Sequence, residues 1–264
     1  MKIGFIGYGN LAKAIARGLL KQEQYELFAS SPSLAAGTTR EGIQTHFDNQ
    51  ITARHADILI LAVKPKMMSA VLEEINPVLP KETLLVSVAA GLTLEWFEAH
   101  TNPGQAVIRT IPNTPASIGL SATPLIANVH VSSQQKQSVE DIFNRIGITT
   151  WAHHEDELNV FTALSASGPA YVFLFIETLV DAAVKLGLEE AIAKTFAIQM
   201  VKGATELAFQ SDLTLKQLRE RVATPGGTTA AALNVLHNKL DELMLLALKA
   251  AANRSIELGM KENR

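Results

Sequence analysis

Cysteine is absent from this chain of 264 residues, which removes disulfides, thiolate nucleophiles and zinc–thiolate centres from consideration. Charged residues make up only 19% of the chain and the formal net charge is −3, so no nucleic-acid partner is expected. The longest apolar runs, residues 58–63 and 84–88, are far shorter than the roughly 18 residues of a membrane span. The N-terminus also lacks the basic and apolar regions of an export signal. We therefore expect a cytoplasmic globular protein with no membrane partner.

The first half of the chain has the pattern of βαβ units, in which short β-rich runs alternate with amphipathic or loop segments. The candidate strands are residues 2–6, 26–29, 58–63, 84–89, 106–110, 121–127 and 149–152. Several of them are apolar throughout, as strands of a parallel sheet are when helices cover both faces. We predict a domain over residues 1–153 that contains a mostly parallel sheet.

The second half changes to a helical period, with apolar residues three to four positions apart. The candidate helices are residues 158–164, 170–186, 189–210, 215–222, 229–236 and 240–254. Apolar residues lie on more than one face of these helices, and a domain of about 110 residues has too little interior to bury them all. We predict an all-α domain over residues 154–264 that makes the protein a homo-oligomer, at least a dimer. A tight monomeric bundle is the alternative.

The first strand runs directly into Gly7-Tyr8-Gly9-Asn10-Leu11-Ala12 and then a helix. This is the Gly-x-Gly-x-x-Ala form of the dinucleotide-binding fingerprint. Gly7 permits the tight turn, Gly9 lets the backbone approach a pyrophosphate, and Ala12 lets the helix pack closely on the strand. We predict cofactor contacts from Gly7, Gly9, Asn10 and Leu11, with a purely structural glycine turn as the alternative. The fold class is α/β, with an N-terminal Rossmann-like domain followed by the helical domain.

The end of the second strand bears on the choice between NADH and NADPH. An acidic residue there would bind the ribose diol and repel a 2′-phosphate, but the chain has Ser30 and Ser31 instead. Their hydroxyl and N–H groups suit a phosphate, and Asn49 or Arg40 is expected nearby. We predict NADPH, with contacts from Ser30, Ser31 and Asn49. An ordinary Ser-Pro turn is the alternative, and NADH use stays open.

Several segments of the first half resemble one enzyme family. They are Phe5-Ile-Gly-Tyr-Gly-Asn-Leu-Ala12, Ala29-Ser-Ser-Pro32, Asp57-Ile-Leu-Ile-Leu-Ala-Val-Lys-Pro65, Ser87-Val-Ala-Ala-Gly91 and Arg109-Thr-Ile-Pro-Asn-Thr-Pro115. Together with two segments of the helical half, they resemble pyrroline-5-carboxylate reductases over essentially the whole length of the chain. The resemblance implies cofactor-site roles for Ala62, Lys64, Ala89 and Asn113. For Lys64, an exposed lysine whose backbone does the binding is an equal alternative.

Two segments of the helical half extend the resemblance. Ser165-Ala-Ser-Gly-Pro-Ala-Tyr171 is similar to the family's Ser-Gly-Ser-Gly-Pro-Ala-Tyr, with Ala166 in place of a glycine. Alanine would strain the turn if the glycine serves a positive φ or a close backbone approach, and would change nothing if it only packs. The most specific match is Leu218-Arg-Glu-Arg-Val-Ala-Thr-Pro-Gly-Gly-Thr-Thr229, which follows the family's C-terminal signature nearly residue for residue.

The resemblance implies reduction of 1-pyrroline-5-carboxylate to L-proline by NADPH, the last step of proline biosynthesis. The substrate carboxylate then fits the N–H groups and hydroxyls of Thr224, Gly226, Gly227 and Thr228 at a helix start. Thr229 is the family's candidate near the ring nitrogen. A hydroxyl is too weak an acid to protonate that nitrogen unaided, so water or a substrate already protonated would supply the proton. A merely capped helix start is the alternative.

Other functions fit the sequence less well. The run His153-His154-Glu155-Asp156 is predicted to be a solvated linker, and no metal site is predicted, because consecutive residues rarely converge on one ion. A 3-hydroxyacid dehydrogenase shares the layout but needs a lysine on the first long helix, and residues 170–183 contain none. A non-catalytic NADPH sensor would not need the second half's carboxylate-binding pattern.

Overall fold

The chain falls into two structural units in the computed structural model, which describes residues 1–20 and 24–262. The first unit is Met1–Ser167 together with Ala251–Arg264, and the second is Gly168–Ala250. The domain boundary at residue 153 stays a prediction. The last helical residues thus belong with the sheet-containing unit, although they follow the helical unit in the chain.

The sheet of the first unit contains nine strands among the described residues. These are β1 Lys2–Ile6, β2 Glu26–Ser30, β3 Gly37–Thr38, β4 Gln44–His46, β5 Ile58–Leu61, β6 Leu84–Ser87, β7 Val107–Thr110, β8 Ser121–Ala127 and β9 Gly147–Trp151. Their order is β3-β4-β2-β1-β5-β6-β7-β8-β9. All neighbouring pairs are parallel except β3 with β4 and β7 with β8. The predicted mostly parallel sheet is confirmed. The short strands β3 and β4 were not predicted, because they are too brief to show a period.

Helices cover both faces of this sheet. They are α1 Asn10–Leu19, α2 Asn49–His55, α3 Met68–Ile75, α4 Leu94–His100 and α5 Ser133–Phe143. Successive strand residues point to opposite faces, so Ile60 of β5 joins a core with α1 and α5. Leu59 and Leu61 join a second core with α3 and α4. This three-layer packing explains why the central strands are apolar throughout.

The strand order reverses beside β1. Strand β2 pairs with one edge of β1, and β5 pairs with the other, both in parallel register. The connections from β1 and from β5 therefore leave in opposite directions and open a crevice at the carboxyl ends of these two strands. Such a switch point is where open α/β sheets bind ligands.

The helical part of the chain begins before the second unit. Helix α6, Glu157–Phe161, passes through a π-helical turn, Thr162–Ala166, into α7, Gly168–Lys185. The remaining helices are α8 Glu190–Gln210, α9 Leu215–Val222 and α10 Thr228–Glu262. The two helices predicted over 229–236 and 240–254 are one helix, so that prediction was wrong. Residues 237–239 contain no proline or glycine to end a helix, and only the apolar spacing suggested a break.

The second unit has almost no interior of its own. Within its described residues, only Ala193 is buried. Large apolar side chains are exposed on α7, α8 and α10, including Phe173 at 66%, Phe196 at 71% and Leu243 at 62%. The run Glu157–Lys185 is also long and apolar enough to cross a membrane, judged by length and composition alone. This was not predicted from the sequence, because polar residues interrupt the run. An apolar surface of this extent requires a covering partner.

Candidate active site

Gly7 and Ala62 form the floor of the crevice between β1 and β5. Gly7 has φ +85°, and its N–H donates to the Ser30 carbonyl oxygen at 2.9 Å. A Cβ at this position would lie 2.8 Å from the carbonyl carbon and oxygen of Ala62. Glycine is therefore required at position 7 both by its backbone conformation and by the close approach of the next strand.

Gly9 differs from Gly7 in what surrounds it. It precedes α1 with φ −80° and ψ −169°, and no side chain caps the helix start. A Cβ built on Gly9 meets no atom within 4 Å, so the space above it is open. Asn10 and Leu11 are the first two residues of α1. The first hydrogen bond within the helix runs from the Lys13 N–H to the Gly9 carbonyl, so the N–H groups of Asn10 and Leu11 have no partner inside the helix. Open space over an uncapped helix start fits a pyrophosphate.

A polar network lies beside this loop at the end of β2. The buried Ser30 hydroxyl donates to Asn49 Oδ1 at 2.7 Å, and Asn49 Nδ2 donates to Glu74 Oε2 at 2.8 Å. The Ser31 hydroxyl faces that of Ser33 at 3.1 Å. Ser30 therefore uses its hydroxyl to hold Asn49, whereas Ser31 and Asn49 are partly accessible. Arg40 is exposed on the following loop.

The neighbouring strands deliver the other predicted cofactor residues to the same edge. Ala62 follows β5, and its N–H donates to the Ile6 carbonyl at 2.8 Å. Lys64 is exposed and precedes a short 3₁₀ helix, Pro65–Met67. Ala89 follows β6, is 6% exposed, and donates its N–H to the Ser87 hydroxyl at 3.2 Å. All of these assignments remain predictions, although the fold places them at the carboxyl ends of adjacent strands.

Asn113 connects the end of β7 to the π-helical turn. Its Nδ2 donates to the Ser165 carbonyl at 2.9 Å, and its Oδ1 accepts the Ala122 N–H at 3.2 Å. Four residues after Ser165 stands Pro169, which has no N–H for that carbonyl, so the Asn113 amide replaces the missing helical bond. Ala166 has a negative φ, as every described non-glycine residue does, and packs beside a small apolar cluster. Alanine in place of the family glycine therefore causes no strain of the kind that a positive φ would bring.

One partly buried ion pair was not predicted from the sequence. Arg109 on β7 is 5% exposed and pairs with Glu155, whose Oε1 also accepts the Leu94 N–H at 2.7 Å. Burial lowers the pKa of the Arg109 guanidinium, and the Glu155 carboxylate opposes that shift. The prediction of a solvated linker was wrong for Glu155, because the fold brings it against an arginine 46 residues away in sequence. No group of His, Asp or Glu side chains suited to a metal occurs in the described ranges.

Tyr8 lies in the glycine loop and is partly buried against Phe5, with ring centroids 5.9 Å apart. Burial, reinforced by the negative charge of Glu41 and opposed by Arg17, raises the pKa of Tyr8 to about 12. The phenol therefore stays neutral throughout the physiological range and adds no charge to the loop.

The predicted substrate residues lie at the start of α10, within the second unit. Gly226 has φ +73°, and the Gly227 N–H donates to the Thr224 carbonyl at 3.0 Å. The first bond within the helix runs from Ala231 to Gly227 at 3.2 Å, so the N–H groups of Thr228 and Thr229 precede it. Thr228 is exposed and Thr229 is partly buried. This turn offers backbone N–H groups and hydroxyls at the positive end of a long helix.

Comparisons with known proteins show the family to which the chain belongs. A family profile described as NADP oxidoreductase, coenzyme F420-dependent, matches residues 2–91, and one described as pyrroline-5-carboxylate reductase dimerisation matches residues 155–258. The class is thus an oxidoreductase with a Rossmann-like NADP domain and a helical dimerisation domain. Pyrroline-5-carboxylate reductases of Pseudomonas aeruginosa and Escherichia coli are 36% and 38% identical, over 98% and 90% of this chain and 97% and 90% of their own. The chain belongs to the pyrroline-5-carboxylate reductase family.

Solved structures support the same assignment. The pyrroline-5-carboxylate reductase of Coxiella burnetii superposes with a TM-score of 0.91 at 37% identity, covering 97% of each chain. The Plasmodium falciparum pyrroline carboxylate reductase, which has NADP bound, gives a TM-score of 0.86 at 35% identity and 98% coverage of each chain. The predicted fold class, an α/β domain of Rossmann type followed by helices, is confirmed.

Proposed function

We propose that this protein reduces 1-pyrroline-5-carboxylate to L-proline with NADPH, as the last step of proline biosynthesis, in the cytoplasm. The observation that carries the proposal is the pairing of two features in one chain. One is an open glycine loop at the switch point of the sheet, and the other is the Thr-Pro-Gly-Gly-Thr-Thr helix start. Both occur in a chain that aligns with reductases of this name over nearly its whole length.

The residues at the crevice fit a dinucleotide. The free volume above Gly9 and the uncapped start of α1 suit the pyrophosphate, and the absence of an acidic residue at positions 30 and 31 suits a 2′-phosphate. Ser31, Asn49 and the backbone after β5 and β6 would hold the rest of the molecule. When bound, NADPH supplies the hydride for the C=N bond. The protein's task at this crevice is to hold and orient that group.

The second unit supplies groups for the substrate. The N–H groups ahead of the first α10 bond, with the Thr224 and Thr228 hydroxyls, would bind the carboxylate without an arginine. Thr229 lies one residue further along the same helix start, and its hydroxyl would donate a hydrogen bond to the ring nitrogen of the neutral imine or accept one from the N–H of the iminium. Because a threonine hydroxyl is too weak an acid to protonate the ring nitrogen unaided, we assign the proton to water or to a substrate that binds as the iminium.

The exposed apolar faces of α7, α8 and α10 support a homo-oligomer, at least a dimer. A second unit with one buried residue among those described cannot be stable by its own packing. The dimerisation profile over residues 155–258 includes Glu157–Lys185, the run that is long and apolar enough to cross a membrane. We propose that a second copy of the chain, and not lipid, covers these faces. The same proposal assigns cofactor binding to residues 1–153, and substrate binding and subunit contacts to residues 154–264.

The decisive experiment follows the loss of NADPH absorbance with a panel of five- and six-membered cyclic imine acids. We expect the highest kcat/KM with 1-pyrroline-5-carboxylate, and a higher value with NADPH than with NADH. NADPH binding without reduction of any imine in the panel would instead support a sensor. Preference for a 3-hydroxyacid with NAD⁺ would support the rival dehydrogenase assignment.

A further inference from the structure

Glu74 is not one of the cofactor-site residues predicted from the sequence, but it accepts a hydrogen bond from Asn49, which is one of them. It lies in α3, and its Oε2 accepts from Asn49 Nδ2 at 2.8 Å. Asn49 begins α2, and its Oδ1 accepts from the Ser30 hydroxyl at 2.7 Å. The neighbouring Gly7 N–H donates to the Ser30 carbonyl, so this network adjoins the glycine loop.

The chemistry of the network fixes which end of the Asn49 amide faces Glu74. An ionised carboxylate only accepts hydrogen bonds, whereas the Ser30 hydroxyl can either donate or accept. The amide nitrogen must therefore face Glu74 and the amide oxygen must face Ser30. An amide nitrogen carries two hydrogens, and Glu74 uses one of them. The other is left for a ligand on the accessible side of Asn49.

We propose that Glu74 is a positioning residue that makes Asn49 present an N–H, and not a carbonyl oxygen, to the 2′-phosphate of the cofactor. An N–H would attract that phosphate and an oxygen would repel it. Glu74 would thereby contribute to the choice of NADPH over NADH without touching either. This inference rests on the cofactor assignment of the proposed function.

The sign of the effect separates positioning from simple charge. The carboxylate lies one hydrogen-bonded residue away from the proposed phosphate position, so its charge alone repels a phosphate. If charge were its only influence, Glu74→Ala would strengthen binding of a 2′-phosphate. If it positions Asn49, the same substitution releases the amide and weakens that binding. Glu74→Gln removes the charge but lets the amide take either orientation, so its effect should be intermediate.

The test measures the Kd of two cofactor fragments for the intact protein by calorimetry. The fragments are adenosine 2′,5′-bisphosphate and AMP, which differ by the 2′-phosphate. Glu74→Ala should raise the Kd of the bisphosphate roughly five- to tenfold and leave that of AMP within about twofold. Glu74→Gln, which preserves size and is the safer variant for folding, should raise the bisphosphate Kd about two- to threefold. Glu73→Ala is the matched control, since Glu73 is the adjacent, exposed residue of the same helix, and neither Kd should change.

Each other outcome overturns the proposal. Unchanged or tighter bisphosphate binding in both Glu74 variants would mean that the carboxylate acts only through its charge or not at all. Equal weakening of both fragments would mean a general structural role. A parent protein that binds the two fragments equally would overturn the NADPH assignment itself, and this inference with it, before any variant is compared.

Discussion

Two glycines of one loop should respond to substitution in opposite ways. Gly7 has φ +85°, and a Cβ there would lie 2.8 Å from backbone atoms of Ala62. Gly9 has φ −80°, and a Cβ there meets nothing within 4 Å. We expect Gly7→Ala to damage the fold, and Gly9→Val to spare the fold and abolish cofactor binding.

The magnitudes follow from these geometries. The left-handed conformation costs a non-glycine residue about 1–2 kcal/mol, and the forced displacement of the β5 backbone adds to it. We expect Gly7→Ala to lower the free energy of unfolding by about 2–4 kcal/mol. Gly9→Val replaces a tolerated helix-cap residue with a poor one, which should lower the free energy of unfolding by about 1 kcal/mol at most. Its side chain fills the proposed pyrophosphate space, so the Kd for NADPH should rise at least about 100-fold, or about 2.7 kcal/mol.

Urea unfolding followed by circular dichroism measures the first effect, and calorimetric titration with NADPH measures the second. Gly104→Ala is the control for conformation without a clash, because Gly104 has φ +79° but open space at its Cβ. It should lose only the conformational part, about 1–2 kcal/mol. Equal stability of Gly7→Ala and Gly104→Ala would refute the close-approach reasoning. Parental NADPH affinity in Gly9→Val would show that the loop is only a turn.

Three further predictions concern other parts of the chain. Thr229→Ala should lower kcat/KM by an amount equivalent to about 1–3 kcal/mol, and Thr229→Ser should recover most of it; normal turnover with about 1 kcal/mol less stability would leave only a capping role. Light scattering at micromolar concentration should give at least twice the chain mass of 28.5 kDa, and a monomer would contradict the proposed interface. The raised pKa of Tyr8, about 12, favours the folded state below pH 10, and this contribution is lost as pH rises from 10 towards 12. Tyr8→Phe should therefore lose less stability than the parent over that range in urea titrations, and parallel curves would refute the shift.

The location in the fold of the predicted cofactor residues was largely predictable, because most of them follow strands. Periodicity located the strands, and parallel strands bring their carboxyl ends to one edge, so Gly7, Ala62, Ala89 and Asn113 had to share that edge. The hydrogen-bond partners of these residues were not predictable from periodicity. Asn113 donates a hydrogen bond to the carbonyl of Ser165, which lies 52 residues later, and the spacing of apolar residues does not predict that contact.

The residues missed altogether share one property, which is that their meaning depends on a distant partner. Glu74 reads as an ordinary helix carboxylate until the fold sets it against Asn49, 25 residues earlier. Glu155 reads as part of a solvated turn until β7 places Arg109 beside it. In the sequence, Glu155 is recognisable only as a charge shortly after a predicted strand, and Glu74 only as one of two adjacent glutamates.

The sequence by itself determined the two-part organisation, the glycine loop, the family and the need for a covering partner. The organisation, the loop and the apolar excess depend on local period, on backbone requirements of single residues and on total apolar content, and the family depends on the resemblance of short segments. All of these are present along the chain. Tertiary structure alone decided the Glu74–Asn49–Ser30 network, the Arg109–Glu155 pair and the place of the end of α10, from Ala251 onward, in the first unit. Hydrogen bonds and ion pairs of this kind act over about 3 Å in space. Their partners are 19 to 46 positions apart in sequence, so these contacts exist only once the sheet has set the strand order.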